Sequence, residues 1–358
     1  MTTGEQTAQS RTERGPEAAP AGSLPDSYAG GWQKMRGRII ELGIRAIWGE
    51  AAFPATMAAD VPLFSAGWRW AMLKAMGAVG VESFVASSGL GFKFVCHIGD
   101  LAEYPFYHRR AFQNELAICT AWLLQEDMAP VVFDVGANVG FFCTHLAQMT
   151  PRAGVKIYAF EPVDVTFAKL VQSIQRLNLE GAIHTVAAAL LDEPHPVRLQ
   201  YPPGNSLYAQ IIPCEREAQP GYGLAHAAGI TLDGFHGSSG VLPKLLKVDV
   251  EGYEIAVLRG GQGMLSRLDR PAVAFEFYPD ALHQCGARPE MFYELLAGYA
   301  LYYVDDFEGQ KIPLGQPITR LEDIEWGCNL FAVPSIEGSS ARWASALSAA
   351  QERIRALR

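Results

Sequence analysis

Asp134, Glu161, Asp249 and Glu276 each lie at or near the end of a short apolar run, where an open α/β sheet presents side chains to a ligand. In Val131-Val132-Phe133-Asp134-Val135-Gly136-Ala137-Asn138-Val139-Gly140 the acid sits at a strand tip, ahead of a glycine turn and an apolar-periodic helix, Phe141 to Met149. The spacing Gly-x-x-x-Gly behind a carboxylate differs from the Gly-x-Gly-x-x-Gly that cradles a dinucleotide pyrophosphate. Such a loop suits a cationic ligand such as S-adenosylmethionine better than NAD. Gly136 and Gly140 are expected to let backbone approach the ligand, because no Cβ intervenes. Asp134, Ala137 and Asn138 would contact it. The competing reading is an ordinary strand-to-helix turn.

Glu161 ends the next run, Val155 to Phe160, and precedes Pro162. A carboxylate there can accept both hydroxyls of a ribose; alone, it would read as a surface acid before a turn. Ala188, at the tip of a third expected strand, Ile183 to Ala188, completes the expected cofactor-binding set with Asp249. In Leu246-Lys247-Val248-Asp249-Val250-Glu251-Gly252-Tyr253-Glu254, strand alternation puts Lys247 and Asp249 on one face. Charges in a central strand are costly unless paired. One reading is therefore catalytic. The other is a Lys247–Asp249 ion pair that fixes the strand end, with Glu251 or Glu254 capping the following helix. Glu276 interrupts the apolar run Ala272 to Phe277. Burial would raise its pKa, as suits a general base, although a hydrogen-bonded structural acid fits equally. His145, on the helix after the glycine loop, faces either core or cofactor.

These groups need a sheet to hold them. Strands are expected at Val131–Val135, Val155–Phe160, Ile183–Ala188, Leu245–Val250, Ala272–Phe277, Leu301–Val304 and Asn329–Val333. Helices are expected at Asp164–Asn178, Tyr253–Arg259 and Pro289–Leu296. Alternation of this kind implies a mostly parallel, Rossmann-like α/β sheet covered on both faces. The stretch between the third and fourth strands reads as a long loop, with a short strand at Val197–Tyr201. Before the sheet, helical periodicity covers Trp32–Trp48 and Phe106–Leu124, with a strand at Phe92–Ile98. The expected organisation is a disordered tail (1–30), a mostly helical N-terminal region (31–125), a cofactor-binding domain (126–335) and a C-terminal helix (336–358).

Composition narrows the function. The 358 residues carry a net charge of −9, which argues against a nucleic-acid partner. The six cysteines are scattered without a Cys-x-x-Cys, as expected of free thiols in a reducing, cytoplasmic setting. Met1 to Asp26 is polar, without the apolar stretch of a signal peptide. No apolar run is long enough to span a membrane; the nearest, Leu63 to Val79, is broken by Arg69 and Lys74 and reads as a core or capping helix, or as an interfacial one.

Phe133 to Gly140, Ala159-Phe160-Glu161-Pro162, Thr231-Leu232-Asp233, and Lys247 to Glu254 with Val257-Leu258-Arg259-Gly260 together resemble the FkbM family of S-adenosylmethionine-dependent methyltransferases. The resemblance covers about Asp100 to Pro334. It implies a seven-stranded class I methyltransferase sheet whose last strand is antiparallel. It also implies O-methylation of a hydroxyl on a sugar, polyketide or other secondary metabolite. Asp249 and Glu276 are then the candidate bases, with Lys247 beside them in the catalytic set. Some related small-molecule methyltransferases use magnesium, and a metal held by Asp249 and Glu276 is one option, but this chain shows no dedicated ligand cluster and no metal is assigned. The rival readings are an NAD-dependent oxidoreductase, an inactive cofactor-binding module, and a nucleic-acid or protein methyltransferase. The last lacks an Asn-Pro-Pro-Tyr motif, and its Pro213-Cys214 lies in the variable loop. The small-molecule acceptor is unspecified. The N-terminal aromatics (Trp32, Trp48, Trp68, Trp70 among them) suit an apolar acceptor, a homodimer contact or plain core.

Overall fold

The computed structural model describes residues 77–78, 80–88, 91–98, 100, 113–125, 129–151, 153–213, 215–304 and 312–356. The tail 1–30, the expected helix Trp32–Trp48, nearly all of Leu63–Val79 and Cys214 lie outside the described residues.

A hairpin comes first, β1 (Ser83–Ser87) paired antiparallel with β2 (Lys93–His97). Helix α1 (Gln113–Leu123) follows. Then come β3 (Val131–Val135), α2 (Phe141–Met149), β4 (Lys156–Phe160), α3 (Asp164–Arg176) and β5 (Ile183–Val186). The next stretch holds β6 (Ala188–Leu190), β7 (Pro196–Tyr201), β8 (Gln210–Ile212), β9 (Gly223–Ile230) and α4 (Leu232–Ser239). The chain returns through β10 (Leu245–Val248), α5 (Glu254–Arg259), α6 (Gln262–Leu265), β11 (Ala272–Phe277), α7 (Pro279–Gln284) and α8 (Met291–Leu295). It closes with β12 (Tyr299–Tyr303), β13 (Pro317–Ile318), β14 (Cys328–Pro334) and α9 (Ser339–Ala356).

The main sheet has the order β13-β12-β14-β11-β10-β3-β4-β5. Strands β11, β10, β3, β4 and β5 run parallel. Strand β14 is antiparallel to both neighbours, as the resemblance implied. The sheet has eight strands rather than seven, because the two-residue β13 adds an antiparallel edge to β12. Apolar runs fill both faces. Trp122, Phe142, Leu146, Leu170, Phe331 and Trp343 belong to one core cluster; Phe133, Phe160, Leu258, Phe275, Phe277 and Phe292 belong to the other. The C-terminal helix lies along α1, where Arg342 donates to the Trp122 carbonyl at 2.7 Å and stacks over its ring at 3.9 Å.

Two expectations need correction. The third strand stops at Val186, and Ala188 opens a separate sheet. The long stretch after it is not a loop: β6, β9, β7 and β8 form a four-stranded sheet with its own small core of Val163, Leu191, Val197 and Leu199. A folded layer of this kind supplies backbone hydrogen-bond partners that an irregular loop would lack. The chain steps from β3 out to β4 and β5, then returns to β10 on the other side of β3. This reversal creates a crevice at the carboxyl ends of β3 and β10, the place where open α/β sheets bind ligands.

Candidate active site

A cavity of about 720 Å³ opens at that crevice. It is lined by Asp134, Gly136, Ala137, Asn138, Glu161, Ala188, Lys247, Asp249 and Glu276, so every residue singled out for the site converges there except Gly140. Gly140 has φ 91° at the start of α2, and a Cβ on it would meet Leu170 Cδ1 at 2.7 Å. Its missing side chain serves the packing of α2 on α3. Gly136 borders the cavity, but its need for glycine is internal as well. At φ +80° its Cβ would lie 1.8 Å from the Asp249 carbonyl oxygen, so the tips of β3 and β10 meet only because no side chain stands there.

Asp134 is buried at the end of β3, in register with Lys247 of β10. Burial lifts its pKa to about 7, with Lys247 opposing and Asp249 adding to the rise. Its Oδ2 has no hydrogen-bond partner among the described residues. Glu161 holds the glycine loop. Oε2 accepts the Asn138 N–H at 3.0 Å and Oε1 accepts the Val163 N–H at 2.9 Å. Burial raises this carboxyl to about 7 against those two bonds. Asn138 is left-handed at φ 51°, and its side-chain amide donates to the Ser206 carbonyl at 3.1 Å. Asp100, at the end of the N-terminal hairpin, binds Lys169 at 2.9 Å and the Ser206 N–H at 2.8 Å. Ser206, which lines the cavity, is thereby tied through Asp100 to Lys169 of α3.

Lys247 is 1% exposed in the middle of the sheet. Its Nζ donates to Asp249 Oδ2 at 2.9 Å and lies 3.6 Å from Glu115 Oε1. Burial disfavours the ammonium, but the carboxylates of Asp249 and Glu115 outweigh it and hold its pKa above the ordinary lysine value. The strand-end ion pair anticipated from alternation therefore exists, and Glu115 of α1 extends it. Glu251 adopts φ 53° in the turn after β10. Glu254 does not simply cap the next helix. Its Oε1 accepts the Val250 N–H at 3.0 Å and the Gly252 N–H at 3.2 Å, which holds this left-handed turn. Burial, then the charge of Asp249, raises Glu251 to about 8. Glu276 lies on β11; burial first, then Asp249 and Glu251, push its pKa well up.

His145 faces the core. Its Nδ1 meets the Phe141 carbonyl at 2.8 Å, and its ring packs among Phe92, Phe94 and Phe141. Four contributors to the cavity region carried no clear sequence signal: Glu115, Tyr278, Trp326 and Asn329. Glu115 was detectable only as an acid on an otherwise apolar helix, and Asn329 as a polar residue opening an apolar strand.

The family model of the methyltransferase FkbM domain matches residues 134–299, a span that begins at Asp134 and contains Glu161, Lys247, Asp249 and Glu276. Methyltransferase 1 of Beauveria bassiana (strain ARSEF 2860) is 30% identical over 179 residues, covering 44% of this chain and 67% of its own length. The chain belongs to the FkbM methyltransferase family. The 31-O-demethyl-FK506 methyltransferase FkbM of Streptomyces tacrolimicus is 31% identical over 119 residues, 33% of this chain and 43% of that protein. The hexuronic acid methyltransferase AglP of Haloferax volcanii is 25% identical over 202 residues, 53% of this chain and 72% of that protein. The crystal structure of methyltransferase FkbM from Methylobacillus flagellatus KT is 14% identical with a TM-score of 0.36, covering 57% of this chain and 43% of that one. The FkbM match leaves out Glu115 on one side and Trp326 and Asn329 on the other, so elements flanking the family domain help build the site. Within the match, Asp233 braces a helix start, because its carboxylate accepts the Gly263 and Met264 N–H groups at the beginning of α6, at 2.7 and 2.8 Å.

Proposed function

We propose that this chain is an S-adenosylmethionine-dependent O-methyltransferase acting on a hydroxyl of a small molecule. The observation that carries the reading is the meeting of Asp134, Glu161, Asp249 and Glu276 in one cavity at the carboxyl end of a reversing sheet. The buried Asp134 Oδ2 lacks a partner, which suits the positively charged portion of the cofactor. Glu161 has lone pairs left on both oxygens after its two backbone bonds, enough to accept ribose hydroxyls. S-adenosylmethionine, when bound, supplies an electrophilic methyl group on a sulfonium.

The rest falls to the protein. Holding the partners in attack geometry supplies roughly 7–11 kcal/mol of the barrier. Taking the hydroxyl proton adds about 10²–10⁴-fold, and Glu276 and Asp249 are the carboxylates for it. Glu276 is suited by its raised pKa, Asp249 by its fixed position on Lys247. Lys247, held between two acids, orients Asp249. Trp326 Nε1 is a buried donor without a partner at the cavity wall, beside Tyr278 and Asn329. An aromatic face with an N–H and an amide suits an oxygen-rich acceptor such as a sugar, a uronic acid or a polyketide.

Calorimetric titration with S-adenosylhomocysteine tests the cofactor; no heat of binding in a folded sample rejects the reading. A panel of hydroxylated acceptors with methyl-labelled cofactor tests the reaction. Asp249→Asn and Glu276→Gln are expected to lose turnover, and full rate in both would remove them from the chemistry.

A further inference from the structure

The backbone brings together a cluster that no spacing in the chain announces. Asp249 follows β10, Glu251 sits in the left-handed turn beyond it, and Glu276 comes from the neighbouring strand β11. One carboxylate oxygen from each lies within 4.8 Å of the other two. Like charges this close repel unless a proton or a cation lies among them. Lys247 does not serve all three, since its Nζ is committed to Asp249 Oδ2 and directed also toward Glu115.

Two further observations point to a ligand rather than to chance crowding. Glu276 Oε2 is buried with no hydrogen-bond partner among the described residues. Asn329, 9% exposed, stands opposite Glu276 in the β11–β14 register and lines the same cavity. Three carboxylates and an amide, with no thiol or imidazole in the trio, form the donor set of a hard, oxygen-preferring cation.

We propose that Asp249, Glu251 and Glu276 hold a divalent cation of the magnesium and manganese class, with the Asn329 amide oxygen as a neutral ligand. A carboxylate has two oxygens, so one can ligate while the other faces the acceptor. The cation in turn favours an acceptor with two neighbouring oxygens, such as a vicinal diol or a hydroxy acid, one of which becomes the methylated atom. That last consequence rests on the methyltransferase reading; the cation site does not.

The test uses the full chain and Mn²⁺ alone, followed by the loss of free-ion signal in electron paramagnetic resonance. The expected result is one tightly held Mn²⁺ per chain, displaced by Mg²⁺. Glu251→Gln and Glu276→Gln should each weaken it by about tenfold or more. Glu193→Gln, an exposed acid elsewhere, should not change it. Should the variants fail to fold, wild-type protein with Tb³⁺ still decides: Tyr278 and Trp326 line the cavity and should sensitise emission that Mg²⁺ removes. Wild type that binds S-adenosylhomocysteine but takes up no Mn²⁺, or shows no sensitised Tb³⁺ emission, overturns the cation site and leaves the cofactor reading standing. Mn²⁺ affinity unchanged from wild type in both variants overturns it too. Mn²⁺ uptake without S-adenosylhomocysteine binding keeps the cation site and rejects the methyltransferase reading.

Discussion

Replacing Lys247 by Met separates a buried charge network from a dispensable lysine. Nζ lies 2.9 Å from Asp249 and 3.6 Å from Glu115 inside the sheet. At an effective dielectric of about 20, these contacts amount to roughly 6 and 5 kcal/mol of attraction. Taking the ammonium out of water offsets several kcal/mol of that. Methionine restores the hydrocarbon packing but removes the ammonium from beside two acids, one of them fully buried. Breaking a buried pair by removing one partner destabilises by about 3–5 kcal/mol, and that is the loss expected for Lys247→Met. Adding Glu115→Gln should then recover part of it, with a coupling of about 1–3 kcal/mol. Urea unfolding of the wild type, both single variants and the double variant, followed by tryptophan fluorescence, measures the cycle. A Lys247→Met protein within about 1 kcal/mol of wild type, or strict additivity with Glu115→Gln, would show that the network does not hold the strand end.

Glu161→Gln should loosen the glycine loop, because an amide offers one accepting oxygen where two backbone N–H groups now bind. Unfolding should fall by about 1–3 kcal/mol, with weaker S-adenosylhomocysteine binding by calorimetry; unchanged values for both would refute the bracing role. Gly136→Ala and Gly240→Ala both place alanine at positive φ, but only the former drives a Cβ into the Asp249 carbonyl. Gly240→Ala should cost about 1–2 kcal/mol and Gly136→Ala clearly more; equal melting shifts would contradict the close approach of β3 and β10. For pH, burial raises Asp134, Glu161 and Glu254 to about 7 and Glu251 to about 8. The ligand-free folded chain thus holds more protons than the unfolded chain above the ordinary carboxylate range. The site's contribution to stability should be fully present only below about pH 4, fall as pH rises from there, and be gone above about 7 to 8. Urea midpoints that climb over that window would refute it.

Much of the fold was legible because the central strands are short and apolar. Val131–Val135 and Ala272–Phe277 are found where the sequence pattern puts them, with Asp134 and Glu276 at their ends. The second sheet was hidden for the opposite reason. Its longest strand, Gly223-Leu-Ala-His-Ala-Ala-Gly-Ile, is rich in glycine and alanine, which carry little strand preference, and it becomes a strand by pairing with β7 and β6. The site's acids were legible at strand tips, where an isolated charge in an apolar run stands out. Glu115 was not, because one acid on a helix is ordinary until tertiary packing aims it at Lys247. The glycine loop was read correctly as a turn, but the reasons for its glycines, the Asp249 carbonyl and Leu170, belong to residues far away in the chain. Long-range contacts of this kind leave no local pattern.

The charge balance of the cavity ties these observations together. Asp134, Glu161, Asp249, Glu251 and Glu276 line it, and Lys247 is the cationic side chain among the lining residues. Such an excess of buried acid is sustained without ligands only if protons are retained, which is what the raised carboxyl pKa values express. A positively charged donor and a divalent ion would each supply the missing countercharge from a different side, the donor near Asp134 and Glu161, the ion at Asp249, Glu251 and Glu276. Each should displace retained protons, so binding of either should release protons in a weakly buffered solution near neutral pH. With both present, the fall in stability toward alkaline pH should flatten, since ionised carboxylates then have partners. Proton release by S-adenosylmethionine and by Mn²⁺ should therefore come from separate groups: Glu161→Gln should reduce the first and spare the second, and Glu251→Gln the reverse. Release that Glu161→Gln and Glu251→Gln diminish alike for both ligands would mean the acids titrate as one undivided cluster, and the assignment of two subsites would fail.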